Sequence, residues 1–460
     1  MASLDEAGFR GQQLRPGDAG YDEARAVWNG MIDRRPALIA RCTGTADVVA
    51  AIAHARSEGL EIAVRGGGHN VAGNAVNDGG LVIDLSPMQG IRVDAAERRV
   101  RAQGGVTWGA LDRETQLHGL ATVGGVVSTT GIAGLTLGGG IGHLTRKYGL
   151  ACDNLTSVDL VTADGEVVTA SDKENTDLFW ALRGGGGNFG VATSLEFRLH
   201  PVGPLVVGGL CAWRAEKRDE ILRFYREFVA SAPDELGLNC LCLSAPPLPF
   251  VPEELHFQPI VALGGAYAGG IEEGMAAVAA IKELGPPDLD LLGPIPYAAL
   301  QQMFDAGFAA GIRSYWKSGY LSELTDAAID TWVERSESIP SPMTLLECQR
   351  LGGAFSRSAD DTAFGNRDAT FLYNIVAAWM DPAEDDKQVA WARSFYEAMA
   401  PHETGGVYVN YLTGEEGQDR VKAAYGAERY ARLQAVKAKY DPDNLFHGNQ
   451  NIQPLTFSRQ

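Results

Sequence analysis

The stretch VRGGGHN, residues 64–70, follows directly on the β-rich run EIAVR (61–65) and sets the reading of the whole chain. A turn needs one glycine or two. Three in a row strip a length of backbone bare and let it approach something closely, and here a histidine follows at once. Three further clusters repeat the feature: GGVVSTTGIAGLTLGGGIGHL (124–144), RGGGGNFG (183–190) and the tail segment HGNQN (447–451). Any one of them alone is an ordinary loop or helix cap. Several together point to one long polyanionic ligand cradled by backbone N–H groups.

Two familiar phosphate-binding architectures are excluded by context. Gly185, Gly187 and Gly190 satisfy G-x-G-x-x-G, but a dinucleotide fold places a strand before that motif and a helix after it. Here the helix-like NTDLFWALR precedes and the strand-like VATSLEFRL follows. A phosphate loop of the G-x-x-x-x-G-K-[ST] type needs a Gly-Lys pair, and the chain has none.

The 460 residues suggest two or three domains. Residues 36–170 alternate short strands and helices. The segment 45–59 has helical spacing with Thr45 as its expected cap, 80–86 reads as a strand, and 156–171 reads as a hairpin around an Asp-Gly turn. A strand within 189–203 closes this half. From about 205 to 405 the texture changes to longer amphipathic helices, with EKRDEILRFYREFVASAPDEL (216–236) as an example, and to proline-rich loops at 244–255 and 285–297. Strand-like runs occur at 257–264, 343–351 and 370–379, which gives a second α+β unit. The last fifty residues read as a helix (428–440) and a turn-rich tail.

Hydrophobic residues make up 45% and charged residues 21%, as in ordinary globular proteins. The net charge of −19 disfavours nucleic acid and anionic membranes as partners. The polar N-terminal stretch shows no signal peptide, and no apolar run approaches the length of a membrane span. The six cysteines are scattered and form no CxxC pair, so neither a disulfide framework nor a zinc site is expected. His143 and Cys152 are too few for a metal, and none is expected. A reducing cytoplasm fits this composition.

Six segments now carry a resemblance: RPALIARC (35–42), VRGGGHN (64–70), GGLVIDLSPM (79–88), GIAGLTLGGGIGHLTRKYGLACDNL (131–155), DLFWALRGGGGNFGV (177–191) and KAKYDPDNLF (437–446). Across nearly its whole length the chain resembles the berberine-bridge-enzyme-like branch of the vanillyl-alcohol-oxidase/PCMH flavoprotein superfamily, nearest to its bacterial 6-hydroxynicotine-oxidase-like and polyketide-tailoring members. The resemblance implies an α+β fold. A PCMH-type FAD-binding domain would comprise residues 1–204 and 406–460. A substrate-binding domain, residues 205–405, would carry an antiparallel sheet covered by helices and roofing the flavin.

It also implies FAD held covalently by one bond, from His69. In doubly linked relatives a cysteine precedes the G-x-x-G segment, at a position that falls near Val127 here, and no cysteine stands there. Cys152 lies beyond the run and reads as structural. The implied cofactor contacts begin with Arg65, Gly66, Gly67, Gly68, Asn70 and Gly73. The second cluster adds Gly125, Ser128, Thr129, Gly131, Gly134 and Gly140, with Asn154 behind them. Gly190 and Val191, Tyr408 and Asn410, and Asn449 and Asn451 complete the set.

Family chemistry is two-electron oxidation of a substrate by flavin, with dioxygen as the final acceptor and hydrogen peroxide as product. Thr130 matches the position beside the reactive edge of the flavin that governs oxygen access. In 341–357, period-2 alternation puts Leu345, Glu347 and Gln349 on one face of a strand. The resemblance implies that this strand lies over the flavin and supplies acidic or polar catalytic side chains; Glu347, the only acid on that face, is the first choice of base, with Gln349 beside it. Tyr411, in the Y-x-N-Y segment of 405–416, is the competing base. Read as a strand, that segment sends Tyr408 and Tyr411 to opposite faces. In 313–324, Tyr315 and Lys317 share one face and Trp316, Ser318 and Tyr320 the other; the pattern leaves open which set meets the substrate. The expected activity is oxidation of a small or medium organic metabolite by a monomer or homodimer. An oxygenating tailoring enzyme of secondary metabolism is the alternative within the family, and a non-catalytic flavin carrier the alternative outside it.

Overall fold

The computed structural model describes residue 4 and residues 8–357 and 361–455. The first residues of the N-terminal stretch and the last five lie outside it. A four-stranded sheet opens the fold. Leu38–Arg41, Leu81–Asp84 and Ile62–Arg65 run parallel, and Gln12–Leu14 pairs antiparallel at the edge. The helix Thr45–Glu58 makes the crossover that a parallel pair requires. Thr45 is not its cap. The helix is capped at Gly44, and Asp47 bends back instead, accepting from the amide and hydroxyl of Thr43 at 2.8 and 2.7 Å.

A five-stranded antiparallel sheet follows, in the order Ile91–Asp94, Arg99–Gln103, Val191–Arg198, Leu155–Val161, Val167–Ser171. Its inner face shares one core with the C-terminal part of the chain. Trp108, Leu178, Phe189 and Phe197 pack there with Val409, Leu433 and Val436. The five-stranded sheet and the C-terminal part of the chain therefore share one apolar interior.

The third sheet has eight antiparallel strands drawn from residues 205–379. Its centre runs Pro259–Tyr267, Leu236–Ser244, Leu345–Arg350, Phe371–Trp379, Arg313–Leu321. One face is buried under the helices Arg218–Ser231, Ile271–Lys282, Asp326–Ser336 and Asp385–Met399 through Trp213, Tyr225, Leu238, Trp332, Tyr373 and Phe395. The other face looks toward the first two sheets. Two of its strands escape a periodicity reading. Leu205–Arg214 (LVVGGLCAWR) and much of Leu236–Ser244 are apolar on both faces, so they do not alternate. The proline-rich loop 285–297 adds two more short strands, Leu289–Asp290 and Gly293–Pro296, on the edge, where proline is tolerated. No helix among the described residues is long and apolar enough to cross a membrane.

Candidate active site

The glycine clusters close on one another. A Cβ placed on Gly67 would lie 2.4 Å from the amide nitrogen of Gly131, and one placed on Gly131 would lie 2.4 Å from that of Gly67. The two loops thus touch through bare backbone, at a separation no side chain permits. Gly68 adds a positive φ of 67°, which turns the chain so that His69 emerges beside the contact. Above these loops opens a cavity. Residues 66–71, 125–127, 130 and 131 form its floor, 186–188, 190, 446 and 448–450 its back, and Tyr408–Tyr411 one flank. Phe308, Trp316, Glu347, Asn374 and Val376, from the large sheet and its connections, form the roof.

His69 stacks on Trp28, with ring centroids 4.5 Å apart and planes 19° from parallel. Trp28 is itself fixed by its ring N–H on the carbonyl of Phe308 at 2.6 Å. The imidazole Nε2 is buried and has no hydrogen-bond partner. Burial pushes the ring pKa down to about 4, so His69 is neutral at working pH.

Glu347 sits on the roof. Asn239 Nδ2 donates to its Oε1 at 2.7 Å, and burial pushes the carboxyl up to about 7. Asn374, directly across the ladder from Glu347, is 2% exposed and its Oδ1 is unpartnered. Tyr408 and Tyr411 are not on a strand. A 3-10 turn over Val409–Tyr411 carries them, their rings meet edge-on at 4.8 Å, and both line the cavity. Tyr408 Oη accepts from the Gly140 amide at 2.9 Å and from Asn410 Nδ2 at 2.8 Å. Burial, reinforced by the charge of Glu347, pushes the Tyr411 phenol well above its ordinary range. On the strand Arg313–Leu321, the Trp316 face turns inward. Lys317 turns outward to Glu416 at 2.7 Å and Glu415 at 3.2 Å.

The cavity wall therefore gathers His69, Gly66, Gly67, Gly68, Asn70, Gly125, Thr130, Gly131, Gly134, Gly190, Tyr408, Asn410, Asn449, Glu347 and Tyr411. Several expected contacts stand outside it. Gln349 lies two residues past Glu347 on the same face, about 7 Å further along the strand. The amide and hydroxyl of Ser128 are both taken by Asp305, at 2.8 and 2.5 Å, and Thr129 is exposed. Asn154 is spent on the carbonyls of Tyr148 and Leu150 and on the ring of His200. Arg65 reaches back to the carbonyl of Ala24, Gly73 faces Ile32, and Gly140 packs against Ala151 and Leu135. Val191 is core, and Asn451 lies beyond the wall.

Sequence reasoning missed Trp28, Phe308, Asn239 and Asn374. None lies in a motif, and only the fold brings them to the site. It also missed what holds the back wall. Lys437 and Asp441, both fully buried, pair at 2.6 Å. Lys437 Nζ also donates to the carbonyls of Asn188 (2.7 Å) and Phe446 (3.0 Å), and Asp441 accepts from the amides of Leu445 and Phe446.

FAD fits this site by its donor set and by its vacant valences. The wall offers glycine backbone amides from three clusters, as a diphosphate requires. It also offers one neutral imidazole with an unpartnered nitrogen and an unpartnered Oδ1 on Asn449. Among the described residues no cysteine lines the cavity. Cys152 is buried behind it, its amide bonded to the Gly139 carbonyl.

Such a fold and cavity define an FAD-binding oxidoreductase. Residues 36–171 match the model of an FAD binding domain, and residues 407–453 match that of the berberine and berberine-like family. (R)-6-hydroxynicotine oxidase of Paenarthrobacter nicotinovorans is 32% identical, over 97% of both chains. A crystal structure of 6-hydroxy-D-nicotine oxidase from Arthrobacter nicotinovorans superposes with a TM-score of 0.86 at 31% identity, covering 98% of this chain and 99% of that one. The glucooligosaccharide oxidase of Acremonium strictum, which carries a 6-S-cysteinyl, 8α-N1-histidyl FAD, shares the fold with a TM-score of 0.85 at 24% identity over 99% of each chain. The chain belongs to the berberine-bridge-enzyme-like family of FAD-linked oxidoreductases. It is an FAD-dependent oxidase, and the oxygenating alternative is not favoured.

Proposed function

We propose that this oxidase holds FAD through a single covalent bond at His69 and oxidises a small organic metabolite with dioxygen, Glu347 acting as the base. The observation that carries the reading is His69: a neutral imidazole with a free, buried nitrogen, clamped against Trp28 at the cavity wall. A neutral ring keeps the lone pair that bond formation needs. Residues 1–204 and 406–460 form the FAD-binding part and residues 205–405 the substrate part. The core shared by the five-stranded sheet and the C-terminal residues supports that division.

FAD, when bound, supplies a two-electron acceptor that dioxygen restores, giving hydrogen peroxide. The chain's own residues handle the proton. Asn239 occupies Oε1 of Glu347, which leaves Oε2 for the substrate. The O–H or N–H proton of the substrate passes to that oxygen as the adjacent C–H bond breaks, and a carbonyl or imine results. A carboxyl with a pKa near 7 is matched to this task at neutral pH. Tyr411, its phenol held protonated, suits positioning better than proton removal. Thr130 lines the cavity beside the touching loops, where so small a side chain would leave room for dioxygen to reach the cofactor. The names of the relatives point to small organic substrates, hydroxynicotine and oligosaccharides among them.

Dithionite-reduced protein mixed with aerated buffer should recover its oxidised spectrum and release one hydrogen peroxide per flavin. Reoxidation no faster than that of free reduced flavin would contradict the oxidase reading.

A further inference from the structure

The connection 297–312, between the edge strand Gly293–Pro296 and the strand Arg313–Leu321, is fastened to both loops of the cavity floor. Gln301, 1% exposed, donates from Nε2 to the carbonyl of Gly125 and to Asp112, both at 3.2 Å. Further along, Asp305 spends both carboxylate oxygens on Ser128, accepting from its amide at 2.8 Å and from its hydroxyl at 2.5 Å. A 3-10 turn then runs Asp305–Phe308. At its end the Phe308 carbonyl accepts from the Trp28 ring N–H at 2.6 Å, and the two rings lie 20° from parallel with centroids 6.4 Å apart.

Trp28 carries the tie on to the histidine. Its amide donates to the carbonyl of Gly68 at 3.0 Å, and its ring stacks on His69. Its own carbonyl accepts from the Gly311 amide at 2.9 Å. One tryptophan is thus bound on one side to the VRGGGHN loop and on the other to the connection 297–312. Ser128 makes the second tie. It stands three residues before Gly131, whose backbone touches that of Gly67. The contacts therefore close a circuit, from the turn through Ser128, Gly131, Gly67, His69 and Trp28 back to the turn. In a closed circuit no member moves without its neighbours. Hydrogen bonds to a charged acceptor are the stronger kind, so Asp305 is its firmest link. Asp305 is not on the cavity wall, so it acts only through the residues it holds.

We propose that the turn Asp305–Phe308 sets His69 for attachment of the flavin, and that Asp305 is the positioning residue that holds the turn in place. The proposal rests on the reading of His69 given above. Attachment breaks the imidazole N–H bond and one C–H bond of the flavin 8α-methyl group and forms one C–N bond. The two protons and two electrons set free pass through the flavin to dioxygen, which leaves as hydrogen peroxide. Such a step depends on the orientation of the attacking nitrogen. With the turn released, Trp28 loses its anchor and His69 its fixed orientation. The glycine amides of the floor are untouched, so FAD still binds but is not attached.

The test takes each variant as the full chain saturated with FAD and reads two quantities: total flavin, and the flavin that stays with the protein on acid precipitation. Asp305→Ala should keep total flavin near the wild-type level while its acid-stable share falls several-fold. Asp305→Asn still offers an acceptor to the Ser128 amide and should restore most of that share. Trp28→Phe keeps a ring on His69 but loses the N–H to Phe308, so its acid-stable share should fall as well. It carries the test if Asp305→Ala does not fold. The double variant should lose no more than the worse single one, because both release the same turn. Several results would overturn the proposal: a wild-type acid-stable share in Asp305→Ala or in Trp28→Phe, total and acid-stable flavin falling in proportion, or a double variant whose loss is the product of the single losses. A wild-type pellet without flavin is a separate result, which overturns the His69 reading itself and the proposal with it.

Discussion

On the floor of the cavity, Gly67 and Gly131 bring two loops into contact through bare backbone. On the roof, Asn239 and Glu347 meet through side chains carried by adjacent strands, with Asn374 opposite Glu347 on the next. The floor depends on what is missing from it, since a Cβ on either glycine would meet the backbone of the other loop. On the proposed reading the roof acts by what is placed on it: burial pushes the Glu347 carboxyl up to about 7, which would match it to proton removal near neutral pH. Cofactor retention should therefore be most sensitive to added atoms on the floor, and turnover to altered groups on the roof.

The back wall is where that contrast can break. Its tail segment is a backbone cradle like the floor, yet a charged pair holds it. Lys437→Met should leave Asp441 buried and uncompensated, a loss of about 3–5 kcal/mol, and chemical denaturation should show it together with loss of FAD. Lys437→Met combined with Asp441→Asn should recover part of that loss, because no charge then remains buried.

Glu347→Gln tests the roof alone. Flavin reduction should fall by about two orders of magnitude while flavin content stays normal. The pH dependence follows from the raised pKa. Below about 7 the carboxyl is neutral and cannot take a proton, so the wild-type reduction rate should climb as pH rises through 7 and level off above it. Stopped-flow traces of Glu347→Gln should lose that rise. Should Tyr411→Phe abolish reduction while Glu347→Gln leaves it intact, the base is the tyrosine.

Gly67→Ala adds one methyl to the floor. The clash with the Gly131 backbone should cost about 1–3 kcal/mol and lower the flavin content of purified protein, with the melting temperature of the apoprotein less affected. The smallest effect is expected from Thr130→Leu, which fills the space that the threonine leaves open. Reoxidation by dioxygen should slow several-fold at constant reduction rate.

The floor was legible in the sequence because glycine is legible. A run of three followed by histidine has few other uses, and the helix-before, strand-after order around 183–190 excluded the common alternative. Glu347 was legible for a narrower reason: one acid on one face of an alternating strand. Asn239 and Asn374 were not, because only the order of strands in the sheet brings them together. Leu205–Arg214 and Leu236–Ser244, which set that order in part, lack the alternation that marks a half-buried strand. Trp28 lies before any motif and reaches His69 through a packing contact that no local pattern encodes. The turn at Tyr408–Tyr411 was misread as extended, and the expected contacts at Ser128 and Asn154 yielded to protein partners nearer at hand, Asp305 and His200.

The central claim is one flavin bond, at His69. Peptide mapping of trypsin-digested holoprotein, by absorbance near 450 nm and by mass, tests it most directly. Flavin should appear only on the peptide of residues 66–92, which contains His69, with the mass of one FAD added and the attachment fragmenting at the histidine. His69→Ala protein should give a colourless pellet on acid precipitation. Flavin on the peptide of residues 148–173, which contains Cys152, or a wild-type pellet that sheds all its colour, would contradict the account.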